Sequence, residues 1–114
     1  MTTEGVEEDL GIFKGSIVVV NLHSPREKVW GIVRNLSVMG VTIRGIDLAS
    51  FEDWVTEVAA GGEEMTMGLA TFFFPMHRLE RILLDTSEGA AKSCCQVFEE
   101  RTKLSVYEYM KQSR

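Results

Sequence analysis

The sequence predicts a mainly β domain with helical additions: five short, strongly bent strands forming a small barrel, a short inserted helix and a C-terminal helix. Three observations carry this expectation. The run Ile17-Val18-Val19-Val20 is β-branched and stops at His23-Ser24-Pro25; glycines stand inside the next two apolar runs, at Gly31 and Gly45; and residues 51–60 and 86–112 repeat apolar side chains at helical spacing. At 114 residues and 45% apolar content, the chain can bury one core. A single domain over residues 1–114 follows, with the barrel in 16–85.

Each element has a local reason. Val6, Leu10 and Phe13, spaced by four and three, place one apolar stripe on a short helix or turn leading into the core. The first strand runs from Ser16 to Leu22, and the proline turn ends it. Val29 to Leu36 is the second, with Gly31 at a bulge or bend where a side chain would crowd. After a turn over Ser37 to Gly40, Val41 to Ile46 alternates, sending Val41 and Ile43 inward and Arg44 outward. Ser50 stands three before Asp53 in a near capping box, Phe51, Trp54, Val55 and Val58 share one helical face, and Gly61-Gly62 ends the helix. Met67 to Phe74 and Met76 to Leu84 are the fourth and fifth strands, split by Pro75 at a corner or edge. Asp85 and Glu88 mark a helix start, and Ala91, Cys95, Phe98, Thr102, Val106 and Tyr109 trace one stripe through a single C-terminal helix.

The net charge is −5, from 12 basic and 17 acidic residues, which weighs against general phosphate-driven binding. The imbalance is uneven, and Arg34, Arg44, Arg78 and Arg81 lie among the strands as a local basic rim. The amino terminus from Met1 to Asp9 is acidic where a secretory leader would be basic, and the apolar runs are too short to cross a bilayer, so the protein is read as cytoplasmic with no membrane partner. Cys94 and Cys95 are adjacent, poor geometry for a disulfide and the wrong spacing for zinc, and are expected as buried free thiols. The sequence holds no recognisable nucleophile motif and no phosphate-cradling glycine loop, so the chain is read as non-enzymatic, without catalytic residues, metal or cofactor.

Residues 16–85 resemble the Sm-like (LSm/Hfq-type) small β-barrel family. The family's first motif is similar to Val18-x-Val20-x-Leu22, a turn from His23 to Lys28 one residue longer than usual, and Val29-Trp30-Gly31-Ile32-Val33. Its second resembles Phe74-Pro75-Met76-His77-Arg78-Leu79-Glu80-Arg81-Ile82. There His77 falls on the histidine of the bacterial Lys-His pair, Met76 replaces the lysine, and Arg78 alone matches the Arg-Gly pair of other members. The family's base-gripping aspartate and asparagine are absent from Ser37-Val38-Met39-Gly40-Val41. The resemblance implies a homo-oligomeric ring joined through the fourth and fifth strands, with RNA or single-stranded nucleic acid as the ligand class.

In such a ring, His77, Arg78 and Arg81 would recur around one axis, and with Arg44 they are the expected nucleic-acid contacts. The plainer reading is that His77, Glu80 and Arg81 keep an edge strand soluble. Trp30, Phe72, Phe73 and Phe74 are expected in the core or a subunit interface rather than as stacking platforms. The C-terminal helix offers a surface for a protein partner. The alternative function is therefore an interaction or scaffold module on the same barrel that has lost nucleic-acid binding.

Overall fold

The computed structural model describes residues 11–63, 65–87 and 89–112. The stripe expected before residue 11, and Glu88 at the expected helix start, lie outside them. Five strands, β1 (Ile17–Leu22), β2 (Glu27–Leu36), β3 (Gly40–Asp47), β4 (Ala70–Pro75) and β5 (Leu79–Leu84), form one antiparallel sheet in the order β4-β3-β2-β1-β5. Among the described residues three helices accompany it: α1 (Phe51–Ala59), α2 (Cys94–Thr102) and α3 (Val106–Gln112).

The connection between β4 and β5 dictates the shape of this sheet. The two strands occupy opposite edges, which in a flat sheet would lie about 19 Å apart at the usual strand spacing. Only the 3-10 turn Met76–Arg78 joins them, and three residues of such a turn advance about 6 Å. The sheet must therefore curl until its edges approach. Met76 N donates to Met39 O at 2.9 Å on the β3 side, and His23 N donates to Arg78 O at 3.0 Å on the β1 side, so the turn is stitched to both. The sheet is nevertheless not closed, since no ladder joins β4 to β5.

Alternation then separates two apolar clusters. Val18, Val20 and Leu22 of β1, Val29 and Val33 of β2, Val41 and Ile43 of β3 and Phe74 of β4 fill the concave face, with Phe72, Leu79 and Ile82 packed against them. Residues from both edges meet there, as the curl requires. Gly31 and Gly45 lie opposite each other in the β2/β3 register. A Cβ at Gly31 would sit 2.4 Å from Arg44 O, and one at Gly45 1.9 Å from Trp30 O, so the two backbones cross at a distance that only glycine permits.

The convex face carries the helices. Phe51, Trp54, Val55 and Val58 of α1, Phe98 of α2, and Val106 and Met110 of α3 are buried against Ile17, Trp30 and Ile46. Trp54 stacks on Phe98 with centroids 5.2 Å apart, and Phe51 meets Trp30 edge-on at 5.1 Å. The apolar sides of the C-terminal helices are thus taken up by their own sheet. Arg101 ties α2 to α1 through Glu52 Oε1 and Thr56 Oγ1, each at 2.7 Å.

Several boundaries differ from those the sequence predicts. Helix α1 grows out of a 3-10 turn at Leu48–Ser50, and Ser50 makes no side-chain cap. Strand β4 begins at Ala70 rather than Met67, because Thr66 N and Met67 N donate to Glu57 Oε1 at 3.0 and 3.1 Å instead of entering a ladder. The Thr66 hydroxyl, with these two amides, holds the Glu57 carboxyl below its ordinary pKa. Strand β5 begins at Leu79, after the 3-10 turn. The single helix expected over 86–112 is two, broken at Lys103, whose φ of 63° lies in the left-handed region.

Asp85 does not cap a helix of its own. It ends β5, with its amide donating to Ile17 O at 3.0 Å. Its carboxylate accepts from Cys94 N at 2.9 Å, Cys95 N at 2.7 Å and Trp30 Nε1 at 3.0 Å. One side chain therefore satisfies two first-turn amides of α2 and the buried indole of β2, on the positive end of the helix dipole. Asp85→Ala strands all three donors, and urea denaturation should show a loss of about 3 kcal/mol, whereas Asp85→Asn, which keeps an acceptor, should lose less.

Candidate nucleic-acid interface

The turns at one end of the curled sheet gather residues far apart in sequence. The β1–β2 turn carries His23 and Arg26, the start of β2 carries Glu27 and Lys28, all exposed, and the 3-10 turn carrying His77 and Arg78 packs beside them through the His23–Arg78 backbone bond. Both histidines of the chain are therefore neighbours in the fold, although they stand at positions 23 and 77.

The four candidate contacts have different fates. Arg78 is mostly buried: its guanidinium bonds His23 O at 3.4 Å, Pro25 O at 3.3 Å and the Glu27 carboxylate at 2.8 Å. It braces the β1–β2 turn, and its donors point into the protein. His77 is exposed on the 3-10 turn. Arg81 is exposed and pairs with the adjacent Glu80 at 3.3 Å. Arg44 is on β3, opposite Ile32 and Thr71, and donates to Thr71 Oγ1 at 3.3 Å. In the sheet order Arg44 and Arg81 are separated by β2 and β1.

The register supplies a different set. Asn21 of β1 lies opposite Lys28 of β2 and opposite Arg81 of β5, which puts Lys28, Asn21 and Arg81 in one row across three adjacent strands. Their side chains share the convex face, since the flanking Val20 and Leu22 point into the concave core. Asn21 Oδ1 is buried with no hydrogen-bond partner among the described residues. Sequence reasoning missed His23, Asn21, Arg26 and Lys28. Only the period-two alternation of β1 signalled that Asn21 faces away from the core.

Other groups are less inviting to chemistry. Cys94 and Cys95 are free and half-buried at the start of α2. Burial, reinforced by the neighbouring carboxylates of Asp85 and Glu52, pushes the Cys94 thiol up to about 12. Burial, with Glu99 and Asp85 nearby, pushes Cys95 up to about 11. Among the described residues, no three His, Cys, Asp or Glu side chains gather as metal ligands, and no helix is long and apolar enough to cross a membrane. Phe72 and Phe74 stack on the concave side at 5.5 Å, Trp30 is buried, and Phe73 faces out, 55% exposed.

Comparison with protein-family models, with curated proteins and with solved structures found no match.

Two outcomes are expected. Arg78→Met releases the β1–β2 turn and should lower stability by about 1–2 kcal/mol in urea denaturation, the scale for hydrogen bonds made by a charged group. Iodoacetamide at pH 8 should alkylate Cys94 and Cys95 at least on the order of a hundredfold more slowly than free cysteine, because so little of either thiol is ionised.

Proposed function

We propose that the chain is a non-enzymatic, Sm-like protein that assembles into a homo-oligomeric ring and takes RNA or single-stranded nucleic acid as its ligand class. The observation that carries the ring is the character of the two sheet edges. Among the described residues, β4 and β5 each have one unpaired side, and both present large apolar side chains to solvent: Phe73 on β4, and Leu83 and Leu84 on β5, at 46% and 43% exposure. Within β4, Ala70-Thr71-Phe72-Phe73-Phe74-Pro75 has no charge to discourage pairing.

The faces match as well. Phe73 pairs with Thr42 and Leu83 with Val19, residues on the convex side of their strands, while Phe72, Phe74, Ile82 and Leu84 belong to the concave side. Joining β4 of one copy to β5 of the next sets Phe73 beside Leu83 and continues the concave core across the seam. A heterologous contact of this kind closes into a ring when its rotation closes. The strand order, the three-residue link between β4 and β5 and the paired glycines support the family resemblance.

The β2–β3 tip favours a second reading, an interaction module without nucleic acid. Val38 and Met39 are 87% and 71% exposed there, beside the half-exposed Leu36 and Met76, where the family carries its base-gripping residues. Light scattering with chromatography should return a mass of several subunits at micromolar concentration, and Phe73→Lys should reduce it toward one; a strict wild-type monomer would remove the ring. Retention of the ring with no oligonucleotide bound at low salt favours the second reading.

A further inference from the structure

We propose that the nucleic-acid backbone is held on the convex side, by Arg26 of the β1–β2 turn and Lys28 at the start of β2 with Arg81 of β5, and that Arg78 is the positioning residue that fixes this turn. The proposal rests on the nucleic-acid reading above and relocates the contact from the β4–β5 turn. Arg26 and Lys28 are exposed and make no ion pair with any described acid. They and Arg78 are three of the six bases in residues 16–85, a segment with nine acids, so their convergence opposes the overall charge.

Three features turn these cations into one surface. The turn and strand start bearing them are pinned at two carbonyls and one carboxylate by Arg78, so Arg26 and Lys28 are presented from ordered backbone. Glu27, the acid between them, is committed to Arg78 and does not neutralise either. Lys28 and Arg81 flank Asn21 two strand spacings apart, about 10 Å, along the row that crosses β2, β1 and β5.

Asp47 shares an open cleft of about 420 Å³ with Arg26, Glu27 and Lys28, and Glu80 partly screens Arg81; His23 and His77 add donors at the same end. Phosphodiesters suit such a set, because backbone binding asks for spaced cations and tolerates any base sequence. An anionic membrane takes up basic amphipathic helices, whereas these cations stand on a strand row and a tight turn.

The test is fluorescence anisotropy with the full chain and a labelled twelve-nucleotide oligo(U), between 50 and 200 mM salt. Wild type should bind, with affinity falling as salt rises. The double substitution Arg26→Ala, Lys28→Ala, both at exposed positions, should weaken binding at least tenfold at 50 mM and flatten the log–log salt slope by roughly 1.4, at about 0.7 per lost phosphate contact. Arg78→Met, which removes the charge, should weaken binding by a smaller factor while leaving the salt slope unchanged, a signature that loss of a direct phosphate contact would not give. Wild-type binding that the double substitution leaves intact overturns this site and leaves the nucleic-acid reading standing. No binding by wild type at 50 mM overturns both. Binding to phosphatidylserine vesicles without binding to oligo(U) also overturns the proposal, in favour of a membrane surface.

Discussion

The three residues Met76–Arg78 are the constraint on which the rest of the structure depends. A link this short between the two edges of a five-stranded sheet excludes a flat layer, and the curl it imposes creates every other feature. The concave side becomes a filled core because side chains from both edges reach it. The convex side becomes broad enough to seat three helices. The β1–β2 turn is drawn against residues fifty positions later, which is how His23 and Arg78 become neighbours. The glycine pair at 31 and 45 is the same constraint seen from inside the sheet: the tightest crossing of β2 and β3 falls where neither strand carries a side chain.

The helical layer has a second anchor of a different kind. Packing of Trp54, Phe98, Val106 and Met110 over Trp30 is non-directional and would tolerate sliding. Asp85 removes that freedom by fixing the start of α2 and the Trp30 indole to the end of β5 with three directional bonds. Glu99 repeats the device one helix later, where its carboxylate accepts from Val106 N at 3.0 Å and sets the start of α3. Both acids serve amides outside their own local segment, so the orientation of the C-terminal region is fixed by electrostatics as well as by burial.

What was legible in the sequence is what local chemistry determines. The β-branched run of β1, the glycines of the bend, the corner at Pro75 and the apolar face of α1 all follow from residues acting on their own backbone. The break in the C-terminal helix was legible too, but in a subtler signal. Ser93 with Gln96, and Ser105 with Glu108, each stand three apart at a helix start, and both serines accept the expected amide bonds, at 3.0 and 3.4 Å. The apolar stripe ran through both and masked them. The candidate interface was mostly illegible, because it depends on cross-strand register and on a turn-to-turn contact spanning 55 residues. Arg78 shows the difficulty most plainly: a basic residue in a motif-like position is spent on carbonyls that no sequence window contains.

The place of β1 in the sheet has a consequence for biosynthesis. β1 is translated first of the five strands, yet it lies between β2 and β5, so one side of Ile17–Leu22 stays without its partner until Leu79–Leu84 has left the ribosome. At ~5–20 residues per second, a nascent chain carries that uncovered β-branched stretch for several seconds. The interval in which this protein is most exposed to misassociation is therefore set by the order of its strands along the message, before any folded subunit exists.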